Sequence, residues 1–192
     1  MKKINVVIKK NEEKILPFVW LNGDEAEVNV HARLVGEGAN LLILGIFLGT
    51  GNKSVKFNTF VSHESPRTKS LTNLRGVFKG NSSFNNDGMI RINKGAKGSD
   101  GYFASKILLF DDAKGRSVPS LEIDENELKA GHASTVGRPD EQQLFYLRSR
   151  GLTQKEAEDL IVSGFFEPII SAFTINEQSN IRKKISTNLY KL

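Results

Sequence analysis

Along the first 125 residues, apolar positions come in short runs broken by polar corners, and few of those runs are long enough for a helix. Ile4–Ile8, Ile15–Leu21 and Val55–Val61 are β-branched or aromatic runs, the second ending at the turn signal Asn22-Gly23-Asp24. Ala26–Leu34 alternates, with Ala26, Val28, Val30, Ala32 and Leu34 on one face and Glu27, Asn29, His31 and Arg33 on the other, as in a half-buried strand. Asn40–Leu48 is almost continuously apolar, the pattern of a strand covered on both sides. Further runs at Ser70–Phe78, Met89–Ile92, Ile107–Phe110 and Leu121–Ile123 are separated by Lys79-Gly80-Asn81, Asn85-Asn86-Asp87-Gly88, Lys94-Gly95, Lys97-Gly98 and Lys114-Gly115, each read as a turn. Many short strands with Gly- and Asn-rich corners imply a sandwich, a barrel or a β-solenoid. A strict six-residue repeat is absent, so among solenoids the pattern favours a right-handed parallel β-helix with irregular rungs, which competes evenly with a sandwich.

After residue 136 the spacing becomes helical, which divides the chain into a β region, 1–136, and a helical region, 137–192. Pro139 and Asp140 with Gln143 predict a helix start, Leu144, Phe145 and Leu147 fall on or near one face, and Gly151 closes the helix. Thr153 with Glu156 forms a second capping box, followed by Ala157, Leu160, Ile161, Gly164 and Phe165 at helical intervals, a stripe that predicts core packing. Glu167-Pro168 is expected to break or kink this helix. Ile181, Ile185 and Leu189 mark a last amphipathic helix, whose apolar face would cover the hairpin or meet a partner.

Composition narrows the chemistry. The 192 residues allow a sizeable core, and no cysteine is present, which removes disulfides, thiolate nucleophiles and cysteine-held metals from this chain. The basic start MKKINVVIKK is followed by no apolar run of signal-peptide or membrane-spanning length, so a soluble, cytoplasmic protein is expected. The net charge of +5 is concentrated in residues 66–116, with ten basic and four acidic side chains, yet no nucleic-acid-binding signature accompanies them and a solvated lysine face is the favoured reading. Asp111-Asp112 is the one tempting carboxylate pair. Neighbouring strand residues point to opposite faces, and DDAKG reads as a turn. No phosphate loop or hydrolase motif occurs.

The block HASTVGRPDEQQLFYLRSRGLTQKEAEDLIVSGFFEPI resembles the C-terminal signature of the SufB/SufD family of the SUF iron–sulfur assembly system. Upstream, His63-Glu64-Ser65-Pro66-Arg67-Thr68-Lys69-Ser70, Gly76-Val77-Phe78-Lys79-Gly80, Gly95-Ala96 and Val118-Pro119-Ser120-Leu121-Glu122-Ile123 are similar to family elements in the same order, so the resemblance spans roughly Val30 to Ile170. It implies a mainly β fold, a right-handed single-stranded parallel β-helix followed by a small C-terminal α-helical region. It also implies a non-catalytic scaffold that dimerises through its β-helix, with a SufB-like subunit or a second copy, and docks a SufC-type ABC ATPase through its C-terminal helices. On that implication Leu147, Arg148, Arg150, Phe165 and Phe166 are the docking candidates, with Arg148 and Arg150 also placed to pair with Glu156, Glu158 or Asp159.

His132 is the candidate at a cluster-assembly interface, as an iron ligand or proton carrier, against a structural role at the β-helix exit. Where SufD-type proteins carry a Cys two residues before this His, the chain has Ala130, and the Glu pair flanking it in SufB-type proteins is replaced by Gly131 and Ala133. No cofactor is therefore expected to bind stably, and transient iron or a cluster only with a cysteine-bearing partner. His63 is expected to be a structural turn or rung residue. The alternative function is a β-helix carbohydrate-active enzyme or carbohydrate-binding protein using Asp111 and Asp112. Nucleic acid and membrane are not expected partners.

Overall fold

The computed structural model describes residues 1–189. Ten strands, β1 (Lys2–Ile8), β2 (Glu13–Leu21), β3 (Ala26–Leu34), β4 (Asn40–Gly49), β5 (Ser54–His63), β6 (Lys69–Phe78), β7 (Ser83–Ile92), β8 (Ser99–Leu109), β9 (Lys114–Ile123) and β10 (Leu128–Gly137), precede three helices, α1 (Glu141–Ser149), α2 (Gln154–Ile170) and α3 (Ile175–Leu189). Odd and even strands form two separate five-stranded sheets, ordered β1-β3-β5-β7-β9 and β10-β8-β6-β4-β2. Every pairing is parallel. This is a β-solenoid of five turns, not a sandwich or barrel, because sequence neighbours lie in opposite sheets and each strand pairs with the strand two places on. Register partners such as Lys2 with Val28, Ala26 with Val55 and Ser83 with Lys114 give turns of unequal length, which is why no short repeat is visible in the sequence.

The lumen is filled by the inward row of each strand. Phe47 from the even sheet meets Phe57 and Phe84 from the odd one with ring centroids 5.1 Å apart in both cases, and Phe78 lies 5.4 Å from Phe84. Asn85-Asn86-Asp87-Gly88 is not a turn but the middle of β7. Asn86 is fully buried and donates to the carbonyl of Phe57, and a Cβ on Gly88 would stand 2.3 Å from the Phe103 ring, so glycine there makes room for an aromatic crossing the lumen. Lys114-Gly115 likewise opens β9, and the stretch from Leu128 to Gly137, which lacks a run of large apolar residues, is the full-length strand β10. The remaining corners are turns as expected, with Gly80 at φ 69° and Gly95 at φ 91° in the left-handed region.

The basic excess of residues 66–116 is dispersed by pairing across turns and onto the helices: Arg67 with Glu37, Arg91 with Glu122 and Asp124, Lys97 with Glu127, Lys79 with Glu158. Outside the even sheet, α2 and α3 bury Leu44, Ile46, Leu48 and Val77 beneath Val162, Phe166, Ile169, Ile170, Ile181, Ile185 and Leu189. β4 is thus covered on both faces, as its continuous apolar run requires. α3 covers the sheet through the predicted stripe of Ile181, Ile185 and Leu189. Pro168 neither breaks nor ends α2, which runs on to Ile170. Ile169 and Ile170 are buried and hold the last turn down.

Candidate functional site

Local chemistry sets the helical hairpin. Asp140 caps α1 by accepting from the backbone N–H of Gln142 at 2.8 Å, one residue earlier than the predicted partner Gln143. Gly151, at φ 97°, releases the chain, and Thr153 and Glu156 form the predicted reciprocal capping box. Its bonds are 3.2 Å from Glu156 N–H to Thr153 Oγ1 and 2.8 Å from Thr153 N–H to Glu156 Oε2; the Thr153 N–H and hydroxyl, both donating to the carboxylate, hold Glu156 below the usual carboxylate range.

Two basic residues of β6 and the corner after it clamp α2 to the solenoid. Arg75 donates to the carbonyl of Phe165 and lies 5.2 Å over that ring, and burial pushes its guanidinium pKa down. Lys79 meets Glu158 at 2.8 Å with side chains only 14% and 19% exposed, and its ammonium sits 5.0 Å over the Phe110 ring.

α1 makes a looser contact, with no buried residue of its own. Between α1, α2 and the end of β8 runs an open, mainly apolar groove of 670 Å³, lined among others by Leu108, Tyr146, Leu147, Leu160, Ile161 and Phe165. The predicted stripe of α2 is therefore divided. Ala157 is buried, whereas Leu160, Ile161, Gly164 and Phe165 face the groove, and the packing face is formed by Val162, Phe166, Ile169 and Ile170. The helix is apolar on two faces, and periodicity alone does not say which one the sheet takes.

The docking candidates separate accordingly. Leu147 and Phe165 line the groove, Arg148 is exposed beside it, and Arg150 stacks 5.4 Å over the Tyr146 ring. Phe166 is fully buried in the core under α2, which takes it out of any docking surface. Neither Arg148 nor Arg150 forms an ion pair with Glu156, Glu158 or Asp159 among the described residues; Glu156 is engaged by Thr153 and Glu158 by Lys79. Tyr146, Leu160 and Ile161, which sequence reasoning did not single out for docking, complete the groove. The signal for the last two was present in the doubled apolar pattern of α2.

His132 lies in register with Phe103, on the inward row of β10, yet is exposed because no further turn stacks on it. Ser134, two residues on, donates to the Ser117 carbonyl across the same open end. Ala130, Gly131 and Ala133 around His132 leave it alone: among the described residues no three of His, Asp and Glu come close enough to hold a metal ion.

His63 is the opposite case. It is fully buried at the end of β5, with Nδ1 2.8 Å from Thr68 Oγ1 and Nε2 2.8 Å from Ser70 Oγ, and Thr68 is itself 2.8 Å from Ser99 Oγ. Burial drives its pKa down to about 4. It is a structural rung residue. Asp111, at φ 53°, accepts from the Gly80 backbone N–H at 2.9 Å and shapes a corner, so the acid pair builds a turn and not a sugar cleft.

A parallel β-solenoid whose even sheet carries the helices on its outer face and whose last turn ends in an open edge defines the class of protein. The SUF system FeS cluster assembly SufBD core domain matches residues 5–165, and the chain belongs to that family. Relatives described as iron-sulfur cluster assembly SufBD family proteins in Mycobacterium tuberculosis and Mycobacterium bovis are 34% identical over 168 residues, covering 83% of this chain and 42% of theirs. The iron-sulfur cluster assembly protein SufD of Bacillus subtilis is 33% identical over 155 residues, covering 80% of this chain and 35% of its own. The chain thus spans about two fifths of the length of these curated relatives. No helix among the described residues is long and apolar enough to cross a membrane.

Proposed function

We propose that this chain is a non-catalytic scaffold subunit of a SUF-type iron–sulfur assembly complex, docking an ABC-type ATPase through its helical hairpin and pairing with a second SufBD subunit through its last solenoid turn. The observation that carries the docking half is the α1–α2 groove, an apolar recess left open where a monomer would gain by closing it. The pairing half rests on the edge strands. β2 carries Pro17, β9 carries Pro119 and β1 carries Lys2 and Lys3, residues that discourage strand addition, whereas β10 has no proline and a single lysine, Lys129, near its start. His132 then lies at the joint between subunits. With no cysteine in this chain, iron and sulfide are cargo held by thiolates of a SufB-like partner, and His132 contributes at most one imidazole.

The test is co-expression with a SufC-type ATPase, followed by size-exclusion chromatography with mass measurement. Leu147→Glu is expected to abolish the ATPase complex while leaving subunit pairing intact, and Thr135→Pro in β10 to do the reverse. A wild-type chain that captures neither partner sinks the reading.

A further inference from the structure

The outer face of the even sheet is only half covered. α2 and α3 take the ends of the strands, while at their beginnings the register aligns Ile15, Leu42, Leu71 and Tyr102 in one outward row across four adjacent strands. Ile15 is 57% exposed, Leu71 38% and Tyr102 42%, and Leu42 packs against the edge of the helix-covered core, so the row continues an interface that the chain already makes with helices. Gly131, next in the row, leaves room for the Tyr102 ring, since a Cβ there would stand 3.0 Å from it.

The next outward row is Glu13, Asn40, Lys69, Asp100 and Lys129, all exposed. Its four charges alternate in sign, and none closes an ion pair among the described residues. On the odd sheet, by contrast, Arg33, Lys56 and Arg116 are paired with Glu64, Glu27 and Asp87. An apolar row flanked by uncommitted charges fits a partner that supplies the counter-charges.

The spacing selects the partner's secondary structure. Adjacent strands lie about 4.8 Å apart, and an α-helix advances about 5.4 Å per turn, so a helix along the solenoid axis sets about one side chain over each strand. We propose that the Ile15–Leu42–Leu71–Tyr102 row seats an amphipathic helix of about three turns from a partner chain. Its apolar stripe lies on the row, its acidic residues face Lys69 and Lys129, and its basic residues face Glu13 and Asp100. This seat lies on the strand starts, apart from the α1–α2 groove, and does not depend on the function proposed for it.

The experiment uses two fluorescein-labelled synthetic peptides of about four turns, with identical leucine stripes and rim charges matched to the row or exchanged in sign. Each is titrated with the full chain and followed by anisotropy. The matched peptide is expected to bind at least ten-fold more tightly than the exchanged one, and Leu71→Lys or Tyr102→Lys to weaken it at least ten-fold with an unchanged thermal unfolding midpoint. Should Leu71→Lys fail to fold, Ile15→Lys on the edge strand serves in its place. Equal binding of both peptides, binding unaffected by the lysine variants, or no binding by the wild type overturns the proposal. A wild-type dimer in sedimentation that Leu71→Lys converts to monomer also overturns it, by making the row a contact between copies.

Discussion

The two outer faces of the solenoid show how one backbone architecture gives two kinds of surface. β3, in the odd sheet, alternates between a buried and an outward row, and its outward charges find partners one turn away, as Arg33 does with Glu64 at 2.7 Å. β4, in the even sheet, is apolar on both rows because helices lie over it. The difference teaches that the helices build a second core on the outside of the even sheet, back to back with the one in the lumen. They are fixed by buried apolar area and by two cations, Arg75 and Lys79, at the seam.

That contrast can be broken at its strongest point first. Phe166→Ala, under α2, is expected to cost about 3–5 kcal/mol and to detach the cap, whereas His31→Ala, whose ring stacks on Phe60 on the bare face, should cost under about 1 kcal/mol. Urea unfolding followed through Trp20, the single tryptophan, measures both.

The lumen supplies the next comparison. His63 is neutral when folded and resists protonation until about pH 4, whereas in the unfolded chain it protonates near pH 6.5. The unfolded state therefore binds more protons between those values. The contribution is whole above about pH 6.5 and is lost as pH falls toward 4, by roughly 3 kcal/mol. His63→Gln should flatten the difference between unfolding free energies at pH 7 and pH 5. An unchanged slope would place the titrating group elsewhere.

The smallest effect sharpens the seam. Lys79→Met leaves Glu158 partly buried without its cation and is expected to cost roughly 2 kcal/mol. Arg116→Ala removes a pair whose two side chains are both about half exposed and should cost less than about 1 kcal/mol. Equal losses in denaturant titrations would mean that the seam is no drier than the open face.

Much of this was legible in the chain. The alternation of β3, the doubly apolar β4, both helix caps and the stripe of α3 are local consequences of side-chain spacing, and the FYLRSRG neighbourhood carried the family. Less legible was β7, where Asn86 and Gly88 look like corner residues but serve the lumen, one by satisfying a carbonyl and the other by admitting Phe103. β10 was hidden for a related reason: as the last turn it has nothing stacked on it and needs few large apolar residues.

What the sequence determined by itself was most of the elements and the family, because capping, alternation and turn chemistry act between residues near in the chain. What the tertiary structure decided was which side of each element is spoken for. Phe165 and Phe166 are neighbours of one type, yet the helix winding and the seat of α2 on the even sheet send Phe166 into the core and Phe165 into an open groove. Likewise His63 and His132 both lie on inward rows, and only the stacking of turns makes the first a buried neutral rung and leaves the second at an open end. Burial is a property of what lies against a side chain, and that partner comes from another turn or from the helices, not from its neighbours in sequence.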